Sequence, residues 1–123
     1  MSFVYWYVLA AAVLPYVFTG LAKSRRGFDN HAPRAWLASV EGWRARAHAA
    51  QLNGFEAFPP FAAGAIIAVQ SGADPTWTGF LCAGFLAFRI AHGALYIADL
   101  AAWRSVVWTA GFACSAGLYL ISV

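Results

Sequence analysis

Uncharged stretches alternate with polar segments along this chain, and they set the number and place of its predicted helices. Four stretches carry no charged residue, namely 1–22, 57–73, 75–88 and 105–123. A helix that crosses a bilayer needs about 20 mainly apolar residues. The first and last stretches reach that length alone, whereas the middle two reach it only by extending into neighbouring polar segments. We therefore predict four helices, at about 3–22, 42–71, 76–98 and 102–122.

The polar segments between these helices predict two turns and one loop. Residues 71–75, with the sequence Ser-Gly-Ala-Asp-Pro, are typical of a tight turn, and residues 99–103 form a second short connection. The only long connection, residues 23–41, is predicted as a loop. Pro15, Pro59 and Pro60 fall inside predicted helices. A bilayer tolerates such breaks where neighbouring helices satisfy the freed carbonyls.

The composition makes lipid the expected solvent. Hydrophobic residues make up 62% of the chain and charged residues only 11%, whereas a soluble domain is about half apolar and a quarter charged. A chain this short has too much surface to hide that excess inside. The first segment lacks a basic n-region, so we expect a retained helix rather than a signal peptide. The predicted fold class is an all-α integral membrane protein, a four-transmembrane-helix bundle forming one domain over residues 1–123.

The distribution of basic residues predicts the orientation and excludes one class of partner. Six of the eight Lys and Arg residues lie in or beside the first loop, and these are Lys23, Arg25, Arg26, Arg34, Arg44 and Arg46. The positive-inside rule then places this loop and the 99–104 turn in the cytoplasm, with both termini outside. Because no soluble basic face accompanies the net charge of +3, we expect no nucleic-acid partner. Cys82 and Cys114 show no metal-ligand spacing, and no metal site is predicted.

Polar side chains recur at helical spacing on the two middle helices. The stripe on the second predicted helix comprises Arg46, Asn53 and Glu56. The stripe on the third comprises Arg89, His92, Tyr96 and Asp99. Ionisable groups at membrane depth cost a few kcal/mol each and commonly mark functional sites. We expect the two stripes to face each other, or the matching face of another subunit, near the cytoplasmic side.

The residue types in these stripes suit a small zwitterion with excess carboxylate. Guanidinium groups bind carboxylates in a bidentate fork, and Glu56 offers a partner for an ammonium group. Helices that border lipid would give a second, apolar substrate lateral access. A role in packing alone also stays open: Glu56 would pair with an arginine to lock the helices, while Arg44 and Arg46 would reach lipid phosphates.

Three motifs resemble those of one family of membrane proteins. The run from Arg44 to Phe61, RARAHAAQLNGFEAFPPF, is similar to the second-helix signature of the MAPEG family, the membrane-associated proteins in eicosanoid and glutathione metabolism. The run Arg89-Ile-Ala-His-Gly-Ala-Leu-Tyr96, followed by Arg104-Ser105, resembles the corresponding part of the prostaglandin E and leukotriene C synthases. A basic pair, Arg25-Arg26, closes the first helix as in family members. The resemblance covers nearly the whole chain and is that of a bacterial-type member.

This resemblance implies a homotrimer in the bacterial inner membrane, with glutathione as co-substrate between neighbouring subunits near the cytoplasmic face. The residues implied in binding are Arg25, Arg26, Arg46, Gln51, Asn53, Glu56, Arg89, His92 and Tyr96. Among them Glu56 would lie toward the amino end of the tripeptide, and Arg25 or Arg26 would reach its carboxylates. Arg104 would stabilise the glutathione thiolate, with Ser105 as its neighbour.

The implied activity is that of a glutathione-dependent transferase or peroxidase acting on lipophilic electrophiles. A free thiol has a pKa of about 8.5, and an adjacent guanidinium favours the ionised, nucleophilic form. Ala49 and Trp108 stand where many relatives have an arginine and a tyrosine, so a non-catalytic lipid-binding or scaffold protein of the same fold is the alternative. A small multidrug exporter is disfavoured, because such exporters use an acidic residue in the first helix and residues 1–22 contain none.

Overall fold

Five helices form the whole fold. The computed structural model describes residues 1–123, in the order α1 (Phe3–Ala22), α2 (Pro33–Ser39), α3 (Gly42–Ser71), α4 (Pro75–Ile97) and α5 (Ala101–Leu120). The predicted all-α class is confirmed. Each of the four long helices begins and ends within two residues of its predicted bounds.

The prediction of a structureless loop over residues 23–41 was wrong in part, because the segment contains α2. Pro33 occupies the first turn of this seven-residue helix. Backbone N–H groups in a first turn have no helical acceptor, so the N–H that proline lacks costs the helix no hydrogen bond. Leu37 is buried in a small cluster with Ala22 and Ala47. Burial of this one leucine against α1 and α3 holds a helix that is too short to be stable by itself.

Three of the helices, α1, α3 and α4, are long and apolar enough to cross a membrane. The exterior of the bundle agrees with a lipid surround. Large apolar side chains project from it with more than 60% of their surface exposed, among them Trp6, Phe80, Trp103 and Leu120. Helix α5 has 20 residues but is not among these three candidate membrane-spanning helices. Arg104, Ser105 and Thr109 in its first half lower its mean hydropathy.

The long helices pack as an up-and-down arrangement. The Phe3 ring lies against Gly79 near the start of α4, and the Phe18 ring lies against Gly93 near its end, so α1 and α4 run parallel. The shared core is built from small residues and a few large ones, including a stacked pair of rings, Phe61 and Phe85, whose centroids are 4.0 Å apart. The small residues allow the close helix approach that is typical of membrane bundles.

Turn chemistry ends the helices at both short connections. Gly72 adopts a left-handed φ of 70° as the C-cap of α3. Two residues later the Asp74 carboxylate caps α4 by accepting a hydrogen bond of 3.0 Å from the Trp77 backbone N–H. At the other short connection Asp99 takes a φ of 61°. Because these turns are tight, α3, α4 and α5 run side by side, and their polar segments meet at one end.

Candidate functional site

A cleft runs between α3, α4 and α5 at the end of the bundle that carries most of the charged residues. It has two adjoining parts that share Asn53 and Trp108. The deeper part has a volume of about 220 Å³, and its walls include Glu56, Pro60, Phe85, Arg89 and Phe112. The outer part has a volume of about 310 Å³ and is lined mainly by His92, Tyr96, Arg104 and Ser105. Together they fall in the size range of small-molecule sites, about 300–1,000 Å³.

Helical periodicity brings these residues together. On α3, Asn53, Glu56 and Pro60 are three and four residues apart and share one face. The corresponding residues of α4 are Arg89, His92 and Tyr96, and those of the start of α5 are Arg104, Ser105 and Trp108. Apart from Arg46 and Asp99, the residues of the two predicted stripes therefore border one cleft, joined by the first turns of α5. Asp99 lies in the turn that follows α4.

Four of the predicted binding residues lie outside the cleft of the single chain. Arg25 and Arg26 are exposed in the connection between α1 and α2. The Gln51 Oε1 accepts a hydrogen bond of 3.1 Å from the His48 Nδ1. The Arg46 Nε donates to the Ile97 carbonyl at 3.0 Å, at the negative end of α4.

Arg46 misses the cleft although it shares a helical face with Asn53. Seven residues separate the two positions, and at about 1.5 Å per residue this is about 10 Å along the helix axis. The shared face was predicted correctly, whereas the axial distance places the guanidinium beside the end of α4.

Charged groups in the cleft have no partner within the chain. The Arg89 side chain is only 6% exposed, yet no hydrogen bond or ion pair joins its guanidinium to another residue; Arg44 and Arg46, by contrast, each donate to one. No Lys or Arg nitrogen lies within 4.0 Å of the Glu56 carboxylate. The chain thus forms no ion pair that would lock its helices through Glu56. The Arg89 guanidinium thus lines the cleft without a partner of its own, and an anionic ligand would supply one.

Two polar atoms of the same cleft are also unsatisfied. The Asn53 Oδ1 and the His92 Nδ1 are buried and form no hydrogen bond. Most buried polar side-chain atoms in proteins have a partner, so each exception requires an explanation. Nearby, the Arg104 guanidinium carbon lies 4.2 Å from the centre of the Tyr96 ring, which holds a cation at the mouth of the cleft. The Glu56 carboxylate and the two cations of the cleft, Arg89 and Arg104, are together suited to a zwitterionic ligand.

One protein-family model covers nearly the whole chain. The MAPEG family model matches residues 3–123, which is almost the whole chain. The chain belongs to the MAPEG family. Neither a curated protein nor a solved structure matches it. MAPEG proteins are membrane proteins associated in general with glutathione, and they include glutathione-dependent transferases. Family membership and the three candidate spans together make this chain a membrane protein.

One wall of this MAPEG cleft was not expected from the sequence. Trp108 and Phe112 stack nearly parallel, with ring centroids 5.4 Å apart and planes 5° from each other. With Phe85 they form an apolar side of the cleft that continues to the exposed surface of α5. The four-residue spacing of the two rings was the available signal, but apolar residues four apart are common on every membrane helix.

Proposed function

We propose that this MAPEG protein is a glutathione-dependent transferase or peroxidase that acts on lipophilic electrophiles. The single observation that carries the proposal is the set of charged and polar residues that line one cleft, Arg89, Glu56 and Asn53, beside a second cation, Arg104. The apolar wall opposite them supplies space for a substrate that enters from lipid.

The γ-glutamyl end and the thiol of glutathione have complementary groups in the cleft. The Glu56 carboxylate is suited to the ammonium of the γ-glutamyl residue and the Arg89 guanidinium to its carboxylate. The Arg104 guanidinium would then favour the thiolate over the thiol. In conjugation the thiolate sulfur forms the new bond to the electrophilic carbon, and the bond from that carbon to its leaving group breaks as the leaving group departs with the electron pair. The protein contributes position and charge rather than a nucleophile of its own.

A homotrimer would complete the site with residues that the single chain leaves outside. Arg25 and Arg26 are exposed, and in a trimer a neighbouring subunit would present them to the carboxylates of the tripeptide. The cleft is bordered by exposed apolar side chains of α5, Trp108 and Phe112. A subunit packed there would close the outer part of the cleft and leave lipid access along the helices.

We further propose that α5 is the fourth membrane-spanning helix of a single domain in the bacterial inner membrane. Its 20 residues extend about 30 Å, which is the thickness of the hydrocarbon core. With four spans both termini lie on the side opposite the α1–α3 connection; with three, the C-terminus lies on the same side as that connection.

Labelling with a membrane-impermeant maleimide tests this topology. In a background with Cys82→Ala and Cys114→Ala, we expect Ser2→Cys and Val123→Cys to react from the periplasmic side. Ser39→Cys, in the polar connection, should react only after the membrane is opened. Reaction of Val123→Cys with the pattern of Ser39→Cys would show that α5 does not cross.

The activity is tested with purified protein, glutathione and 1-chloro-2,4-dinitrobenzene. The expected product carries the glutathione sulfur at the carbon that loses chloride, and its absorbance gives the rate. Calorimetric titration with glutathione measures binding separately. Absence of both turnover and binding would overturn the enzyme proposal.

A non-catalytic lipid-binding protein of the same fold is the second candidate. The observation that favours it is Trp108, which replaces a hydroxyl-bearing residue of many relatives by an apolar ring stacked on Phe112. Binding of a lipid to the purified protein, with no binding of glutathione in the calorimetric titration, would select this candidate.

A further inference from the structure

The turn between α4 and α5 is a Schellman motif that leaves one helix carbonyl without a backbone donor. The Leu100 N–H donates to the Leu95 carbonyl at 3.0 Å. The Asp99 N–H donates to the Tyr96 carbonyl at 3.1 Å, and Asp99 takes the left-handed φ of 61° that the motif requires just after the cap. No backbone N–H donates to the carbonyl of Ile97, the last residue of α4. That carbonyl is left for a partner from outside the turn.

Arg46 of α3 is that partner. Its Nε donates to the Ile97 carbonyl at 3.0 Å, in partly buried surroundings and across a separation of 51 residues in the sequence. The Ile97 side chain packs on the small cluster that contains Ala47, the next residue of α3. Both the carbonyl and the side chain of the last residue of α4 are therefore held by α3. The positive charge of Arg46 also lies at the negative end of the α4 dipole.

The turn that Arg46 holds leads directly to the cation at the mouth of the cleft. The Arg104 N–H donates to the Leu100 carbonyl at 2.9 Å, in the first turn of α5. The Arg104 guanidinium carbon lies 4.2 Å from the centre of the Tyr96 ring, and Tyr96 directly precedes Ile97. The position of Arg104 over this ring therefore depends on the geometry of the short segment between them. The Arg46 hydrogen bond is made to a residue of that segment.

We propose that Arg46 is a positioning residue, which holds the α4–α5 turn and thereby places the Arg104 guanidinium at the mouth of the cleft. Arg46 acts through the turn rather than on a ligand, since it lines neither part of the cleft. The inference rests on the proposed function, in which Arg104 favours the glutathione thiolate. A displacement of about 1 Å in a reacting geometry can cost about 100-fold in rate, so a hydrogen bond that fixes this turn controls activity from outside the site.

Two substitutions of equal length at this position isolate the hydrogen bond. Arg46→Gln places an amide nitrogen, with its N–H donors, as many bonds from the Cα atom as the arginine Nε. Arg46→Met places a methyl group there and has no donor. Both variants lose the positive charge, so a difference between them reports the donor and not the charge. The rate of conjugation of 1-chloro-2,4-dinitrobenzene is measured for the full chain at pH values below and above the ordinary thiol pKa of about 8.5.

Below that pH we expect Arg46→Met to lower the rate about 10- to 100-fold, and Arg46→Gln to recover most of the loss. The deficit of Arg46→Met should shrink as the pH rises, because a displaced Arg104 no longer favours the thiolate and the thiol must ionise unaided. In an Arg104→Ala background Arg46→Met should lower the rate no further, since residues that act as one unit are not additive. Equal rates for the Met and Gln variants, or a deficit of Arg46→Met that is the same at every pH, would overturn the inference.

Amide hydrogen exchange in detergent tests the same hydrogen bond without glutathione. The Leu100 and Arg104 amides should exchange faster in Arg46→Met than in the unaltered chain, and at about the unaltered rate in Arg46→Gln. The Trp77 amide, which is bonded to Asp74 at the other end of α4, should exchange equally in all three proteins. Equal exchange of Leu100 and Arg104 in the three would overturn the inference. If the unaltered chain neither binds nor converts glutathione, the proposed function fails, and the exchange rates alone decide whether Arg46 holds the turn.

Discussion

Replacement of Arg104 by alanine is expected to lower the rate of glutathione conjugation about 10- to 1000-fold, the range found when a group that stabilises developing or reacting negative charge is removed. The guanidinium lies in the outer part of the cleft, against the Tyr96 ring and next to Ser105. Its position beside the proposed thiolate means that its loss acts on ionisation of the sulfur. The rate deficit should therefore shrink as the pH rises toward the ordinary thiol pKa, because more thiolate then forms without help.

Arg44→Ala is the matched control for this substitution. Arg44 has the same charge and also packs on an aromatic ring, that of Trp43 at 4.4 Å, but it bonds to Ser24 in the polar connection and lies outside the cleft. Its replacement should leave the rate close to that of the unaltered chain. Rates for Arg104→Ala equal to those of the control would assign the thiolate to another cation, for which Arg89 is the next candidate.

The replacement Gly93→Ala is expected to destabilise the bundle by at least about 1–3 kcal/mol, the usual cost of overpacking a core. A Cβ atom at Gly93 would lie 1.9 Å from the Cζ atom of Phe18. The Phe18 ring is 9% exposed and packed between helices, and the cavity that it borders, about 10 Å³, is too small to take the displaced ring. The helices α1 and α4 would have to separate, and the cleft residues on α4 would move with them.

Thermal unfolding in detergent measures this effect, with Gly20→Ala as the reference substitution. Nothing lies within 4 Å of a Cβ atom at Gly20, inside α1, so alanine there should be neutral or stabilising by up to about 1 kcal/mol. Shortening the ring in Gly93→Ala with Phe18→Leu should recover part of the loss. If Gly93→Ala unfolds at the same temperature as Gly20→Ala, the result contradicts the close packing of α1 against α4 at Gly93.

The short helix α2 shows where periodicity in the sequence stops being informative. Seven residues make fewer than two turns, and a helix of that length has no intrinsic stability to reveal in its composition. Only Pro33 at its start was a local signal. The burial of Leu37 beside Ala22 and Ala47 depends on segments that come together in the fold.

For the site, too, the sequence predicted one feature and missed another. The three-and-four spacing of Asn53 with Glu56, and of Arg89 with His92, was enough to predict that these side chains share a face. Spacing carries no information on the distance along the axis to another helix. Arg46 therefore belongs to the predicted stripe and yet binds the end of α4 rather than the cleft.

By itself the sequence determined the all-α class, the bounds of the long helices and the polar stripes, because these depend on the period of the helix and on the length of uncharged stretches. The tertiary structure alone decided that α5 would add Trp108 and Phe112 as an apolar wall, and that Arg89 and the Asn53 Oδ1 would be buried without partners. Those features arise from how helices approach each other. The contacts between helices depend on side-chain shape at many positions simultaneously, and no single segment of the chain contains them.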